Sequence, residues 1–245
     1  SLDDYNDLGY DSNPITGVTV CARNPGSWSN NLKVATIDGK ADQILTFGTL
    51  PTNIAVGYGV TQNVPADTIL AGAGSTSKLD GYYKGIVTGV DATTKTVDVK
   101  FLSHTSAAGV STNVDYQPGG IYKFANGTVA IHTAGQSASY ATANPSNNQD
   151  WFDQQAITLT NATINWNNIA ERPGTSSYAA GRGSRFDEIH VVVVDEDGEW
   201  TGNRGEGLEL FTGLSVAKGA KFEDGTKSYY VDALNRRSKY IWWAD

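Results

Sequence analysis

Methionine is absent from the 245 residues, cysteine occurs once and histidine three times. A chain with no methionine lacks its initiator, which points to a piece of a longer protein. The single thiol, Cys21, excludes an internal disulfide. It lies in the apolar stretch 18–22, where a buried, inert cysteine is expected. Lys and Arg total 18 against 26 Asp and Glu, a net charge of −8. Phosphate contacts need clustered cations, so this balance argues against nucleic acid as a partner. No apolar run approaches the ~20 residues that span a bilayer, and no basic start with an apolar core marks a secretion signal. The expected partners therefore include neither nucleic acid nor membrane.

Catalytic chemistry is sparse as well. His104, His132 and His190 are far apart in sequence, and His104 and His190 sit in or beside strand-like runs. Structural histidines with satisfied ring nitrogens are expected there. A Ser/His/Asp site is assembled in space and leaves no fixed spacing, but no G-x-S-x-G elbow supports one. Asp195-x-Asp197-Gly198 has a superficial likeness to a calcium loop. In that register position 1 is Val193 and position 12 is Arg204, where carboxylates are needed, so an acidic turn is expected instead. The Gly-Thr-Lys-Ser end of 219–228 lacks the order of a phosphate loop. Arg182 and Arg185 in a Gly-rich stretch read as a surface loop. No catalytic residue, metal site or cofactor site is assigned, and no cofactor is expected.

What is present is β pattern. The run Phe186-Asp-Glu-Ile-His-Val-Val-Val-Val-Asp195 is continuous, apolar and β-branched at 189–194, which suits a strand covered on both faces. Asp197-Gly198 predicts a hairpin-type turn before a second strand at 207–212. A further turn at Asp224-Gly225, a short helix at 231–238 and an aromatic strand at 240–243 complete the C-terminal part. Near the start, 18–22 and 32–37 read as strands separated by Asn24-Pro-Gly-Ser-Trp28. In the middle, Val97, Val99, Phe101 and Ser103 alternate with Asp98, Lys100 and Leu102. With 82–90 and the turn 91–95, they predict a half-buried hairpin. A second strand pair is expected at 121–124 and 128–132, turning at Asn126-Gly127, and a short helix around 150–156.

The tryptophans divide by placement. Trp28, Trp151, Trp166, Trp200, Trp242 and Trp243 could form a carbohydrate platform, but core anchoring or contacts to further domains explain most of them more simply. Trp28, Trp242 and Trp243 are the expected inter-domain or inter-subunit packing residues. Adjacent residues of a strand face opposite ways, so burying both Trp242 and Trp243 requires cover on two sides.

The end stretch also carries a resemblance. Asp187-Glu188-Ile189-His190, 191–198, Thr201-Gly202, Leu208-Glu209, Leu214-Ser215, Tyr229-Tyr230 and 238–243 follow a pattern that resembles the tail sheath protein of contractile-tailed bacteriophages. Ala22-Arg23-Asn24-Pro25-Gly26-Ser27-Trp28-Ser29-Asn30-Asn31-Leu32-Lys33-Val34 is similar to a second element of that family. Asp150-Trp151-Phe152-Asp153-Gln154-Gln155 resembles sheath proteins of large phages infecting cyanobacteria. No motif is recognised between Thr49 and Asn148. In a bacterial virus, the glycosylation sequons at Asn126 and Asn161 have no role.

The resemblance implies a virion protein made in the host cytoplasm. It would stack as hexameric rings around an inner tail tube and contract to drive that tube toward the host envelope. The subunit would perform no covalent chemistry, and would be no enzyme. It also implies that this chain is a protruding internal fragment, monomeric in dilute solution, a state light scattering can check. Tail tube and baseplate would be reached through domains outside it, and self-association would belong to the full-length sheath. The expected fold is α+β and β-dominated with few short helices. Residues 1–48 and 149–245 would form a discontinuous host domain, and 49–148 an inserted all-β, barrel- or sandwich-like domain. The competing reading is a β-rich module binding a carbohydrate or receptor on a virion or cell surface, which glycan-array binding centred on the middle domain would favour.

Overall fold

The computed structural model describes residues 18–24, 26–70, 76–132, 138–143 and 149–244, with the backbone path alone for 138–143. In chain order the strands are β1 (Val20–Ala22), β2 (Leu32–Asp38), β3 (Gln43–Thr46), β4 (Gly59–Asn63), β5 (Tyr82–Asp91), β6 (Thr96–Thr105), β7 (Ser111–Asn113), β8 (Gly127–His132), β9 (Ala138–Ala143), β10 (Gln149–Asp150), β11 (Ala156–Thr158) and β12 (Thr163–Asn165). Helix α1 (Ser177–Ala180), strands β13 (Glu188–Asp195) and β14 (Gly207–Ser215), helix α2 (Tyr230–Arg237) and β15 (Ile241–Trp243) follow. Among the described residues strand makes up 40% and helix 11%, so the α+β fold is β-dominated. No helix among the described residues is long and apolar enough to cross a membrane.

The chain divides into two compact units, one joining the residues up to Gly39 with those from Ala156 onward, the other Lys40–Gln155. These limits lie outside those expected from sequence, 48/49 and 148/149. The reason is pairing: β3 lies antiparallel to β6, β10 pairs β3, and the Trp151 N–H donates to the Asp42 carbonyl at 2.9 Å. Segments 40–48 and 149–155 are therefore edge pieces of the middle unit's own sheet.

In the first unit, β13 is the centre of a three-stranded antiparallel sheet, β14-β13-β2. Its valines 191–194 are all buried, as an uninterrupted β-branched run predicts. Helix α2 packs Ala233 and Leu234 against Val191, Phe211 and Leu214, with Val34, Phe222, Tyr230 and Trp243 at the margin. Asp232 in the first turn of α2 and Arg236 and Arg237 in the last complement the helix dipole. The chain then returns as β15, which pairs antiparallel with β1, Cys21 opposite Trp242. Cys21 is half-buried on this ribbon rather than in a core, because a two-stranded ribbon cannot enclose both its faces; burial still pushes its thiol up.

The second unit is one eight-stranded antiparallel sheet, ordered β10-β3-β6-β5-β4-β8-β9 with β7 beside β6. It wraps a single core of Leu45, Phe47, Val60, Tyr83, Val87, Val97, Val99, Phe101, Phe124, Val129 and Ile131. Among the described residues β9 and β10, the two ends of this order, are not paired with each other. The β5–β6 hairpin follows the predicted alternation except at Lys100, which is buried, and its ladder has register shifts at Lys84/Gly85 and Val87/Gly89. Its turn is closed by Asp91, whose carboxylate accepts from the Thr93 and Thr94 N–H groups, and by Lys95 at φ 57°.

The second predicted strand pair is not formed. Residues 121–124 are irregular, and β8 pairs instead with β4 and β9. The helix expected around 150–156 is a single 3-10 turn, Phe152–Gln154. Because the first unit has its own core, replacing Lys40–Gln155 by a short Gly/Ser linker should leave a remainder that unfolds cooperatively by calorimetry. Loss of any transition would show that the first unit depends on the second.

Candidate functional site

Each of the three histidines has a ring nitrogen within hydrogen-bond distance of a polar partner. His190 is buried, with Nε2 3.0 Å from the Glu171 carbonyl and Nδ1 accepting the Gly213 N–H at 3.1 Å. His104 Nε2 meets the Asp80 carbonyl at 2.5 Å, and His132 Nε2 lies 2.7 Å from the Thr61 hydroxyl. The Arg182 guanidinium stacks 3.6 Å over Tyr178 and donates to the Tyr178 carbonyl, while Arg185 lies 4.3 Å over Phe186. The turn carrying them closes α1 through Gly183 N–H to Ala180 and Ser184 N–H to Ala179, so the surface loop expected there is tied down.

Buried carboxylates of the first unit organise loops. Asp187 accepts from the Ser176 N–H at 2.8 Å, from the Ser176 hydroxyl at 2.7 Å and from the Ser215 hydroxyl. Burial opposes its charge, but the Ser176 and Ser215 bonds outweigh it and hold the carboxyl below its usual range. Asp195 does the same for the segment after β13. That segment, 196–206, is a long loop and not the tight turn read from Asp197-Gly198. Asp195 accepts from the N–H groups of Gly198 (3.1 Å), Trp200 (2.9 Å) and Thr201 (2.8 Å), and from the Thr201 hydroxyl (3.0 Å). Gly198 takes φ 86°, and a Cβ there would lie 2.8 Å from the Arg204 nitrogen. The calcium-like spacing is thus a carboxylate spent on its own loop. Desolvation would raise the Asp195 pKa, but the bonds from Thr201, Trp200 and Gly198 prevail and lower it.

The sign of the pH effect follows. A depressed native pKa stabilises above the unfolded value of about 3.9 and is lost as pH falls through the native pKa. Asp195→Asn should therefore lower Tm at neutral pH, and its deficit relative to the native protein should shrink as the pH is taken below about 4. A deficit unchanged down to pH 2 would mean the charge on Asp195 is not what holds the loop.

The loop presents Trp200, 41% exposed, in a row of aromatic rings. Trp28 lies edge-on at 4.6 Å and Tyr240 edge-on at 5.5 Å. Trp28 comes from the 3-10 turn Ser27–Asn31 and Tyr240 from the link between α2 and β15. The Asn31 amide donates to Glu199 at 2.5 Å, fastening the loop to that turn. Of the three tryptophans expected at interfaces, Trp28 thus meets Trp200 of its own unit.

Trp242 and Trp243 are both half-buried, one on each face of β15. The Arg23 guanidinium stacks 3.3 Å over Trp242 and donates to the Asn235 and Ile241 carbonyls. Trp243 meets Tyr230 edge-on at 5.0 Å, and its backbone is held by the Asn235 side chain. Both indole N–H groups are shielded from solvent and have no acceptor among the described residues. Each leaves an unsatisfied donor.

Two clefts stand out. One of about 710 Å³ in the first unit is lined by Thr212, Phe222, Lys227, Ala233, Arg236 and Arg237, with Glu223, Asp224 and Thr226. The other, about 330 Å³ in the second unit, lies beside Tyr83, whose hydroxyl donates to the Ile121 carbonyl at 2.7 Å. Burial pushes the Tyr83 hydroxyl up to about 12, which suits a donor and not a base. Sequence reasoning missed the large cleft because its residues come from three separate elements. Comparison with models of known protein families, with curated proteins and with solved structures finds no match to this chain.

Proposed function

We propose that the chain is a structural subunit of a contractile phage tail sheath, working by packing and not by covalent chemistry. One observation carries the reading: two of the three sheath-like stretches, 22–34 and 187–243, come together in one unit. The stretch 22–34 supplies the end of β1, the Trp28 turn and the start of β2. The stretch 187–215 supplies β13 and β14, and 229–243 supplies α2 and β15. β13 pairs with β2 and β1 with β15, so these distant stretches form the frame of one unit. The third sheath-like stretch, 150–155, lies in the other unit.

In this reading the free energy of contraction comes from exchanging one set of subunit contacts for a lower one, a bistable assembly that needs no bound nucleotide. Trp28, Trp242 and Trp243 would then support contacting surfaces from within, by fixing the elements that reach them. The test is electron microscopy of the protein that carries this chain, under assembly conditions. Stacked rings or tubes are the expected result. A protein that stays monodisperse in every condition, while the second unit binds glycans on an array, would replace the sheath reading with the binding-module one.

A further inference from the structure

Two features of the first unit complement each other. The first is the tip of the 196–206 loop. It carries Glu196, Asp197, Glu199 and the exposed Trp200. Asp195, fully buried beneath it, fixes the backbone of Gly198, Trp200 and Thr201. A preordered tip loses little conformational freedom on docking. Tryptophan is also the side chain that most often anchors an interface when it fills a pocket.

The second feature is the 710 Å³ cleft between α2, Thr212 of β14 and the turn 222–227. Phe222 and Ala233 give it an apolar floor. One of its two acids and one of its cations are already engaged. Asp224 accepts from the Thr226 N–H and hydroxyl at 2.9 and 2.6 Å, and Lys227 is held by Asp232 at 2.9 Å. Arg237 lies over Phe211 at 5.6 Å. Arg236, exposed on the last turn of α2, has no hydrogen bond or ion pair among the described residues. Glu223 at the rim is the one opposing charge that no such bond consumes.

We propose that the Glu199–Trp200 tip of one copy inserts into this cleft of a second copy, the indole on Phe222 and Ala233 and Glu199 facing Arg236. This rests on the assembly reading above and names a contact for it. Because tip and cleft are different surfaces of one chain, the contact is heterologous. Each docked copy still offers a free tip or a free cleft, so the contact propagates into a ring or a helical stack. A single such contact is weak in dilute solution and is strengthened when other contacts hold the copies together.

Disulfide trapping tests it on the full chain in a Cys21→Ser background. Glu199→Cys protein is mixed at high concentration with Glu223→Cys protein and oxidised. Glu223 lines the cleft and is exposed, and Trp200 is retained. The expected result is a cross-linked heterodimer that is lost when Trp200→Ala is added to the first partner. It should also be absent when the second partner instead carries Thr52→Cys, an exposed site on the other unit. No cross-link, or one indifferent to Trp200→Ala, overturns the proposal. Ring or tube formation by a protein that gives no cross-link would sink this contact alone and leave the sheath reading standing. A Trp200-dependent cross-link in a protein that never forms tubes would do the reverse.

Discussion

Val192→Asp should unfold the first unit or prevent its expression, while Glu196→Lys, four residues on, should be nearly silent. Val192 is 2% exposed, and its neighbours Val191 and Val193 are fully buried. It stands on the central strand, opposite Ala35 of β2 and Leu210 of β14, with a hydrogen-bonded ladder on either side. Burying a charge without a partner costs several kcal/mol or more, against a net domain stability of about 5–15 kcal/mol. Glu196 differs in every respect. Its N–H donates to the Asn31 carbonyl whatever the side chain is, and its carboxylate accepts only a 3.2 Å bond from the Thr160 hydroxyl at an exposed position. Its replacement should cost no more than about 0.5 kcal/mol. Thermal denaturation of both variants decides the matter. A stable Val192→Asp beside an unstable Glu196→Lys would mean that β13 is not the core strand of its unit.

That strand was also the most legible element in the sequence, and the reason is physical. A run of β-branched residues has one favourable environment, a strand with two covered faces, and β13 occupies it. The β5–β6 hairpin was legible for a related reason, since alternation of period two survives the two register shifts in the ladder. The stretch 121–124 misled because its apolar residues do pack inward without forming a ladder. Phe124 is buried, and its backbone N–H and carbonyl are bonded by the Gln43 side-chain amide at 2.8 and 3.1 Å. Gln62 holds Ala125 in the same way at 2.7 and 2.8 Å. Two glutamines thus stand in for a neighbouring strand, satisfying backbone groups that burial would otherwise leave unpaired. Nothing in the local pattern announces this, because glutamine at a strand position normally signals a solvent face. The Trp28–Trp200 contact was hidden for a different reason. It joins residues far apart along the chain, and it depends on Asp195 turning inward, whereas the acidic run read as an exposed turn. The strand-alternation rule sets Trp242 and Trp243 on opposite faces, but it could not supply Arg23 and Tyr230 as their neighbours.

The largest effect expected in the second unit comes from a buried ion pair, one member of which, Lys100, the strand alternation sets opposite the core positions. Lys100 alternates with core residues on β6, yet its ammonium is buried, 2.9 Å from Asp42 Oδ1, with side chains only 6% and 3% exposed. Asp42 Oδ2 accepts the Phe101 N–H at 2.9 Å, the Asp42 N–H donates to the Val99 carbonyl at 2.8 Å, and the Asp42 carbonyl takes the Trp151 N–H. The pair therefore lies where the chain enters and leaves the sheet. Removing one member of a buried ion pair typically costs about 3–5 kcal/mol, whereas replacing both by neutral groups of similar size is often close to neutral. Lys100→Met should accordingly destabilise the second unit by about 3–5 kcal/mol, because Asp42 stays buried without its cation. Lys100→Met combined with Asp42→Asn should recover most of that loss. The asparagine oxygen can still accept from Phe101, which avoids the ~1–3 kcal/mol penalty of an orphaned buried N–H. Trp151 is the single tryptophan of this unit and packs at the same place, so its fluorescence in a urea titration follows this transition in a protein whose other tryptophans are replaced by phenylalanine. A double-mutant cycle gives the coupling directly. If the double variant is as unstable as the sum of its single changes, the two residues do not act as a pair, and the stability of the sheet at its entry and exit must come from the backbone bonds alone.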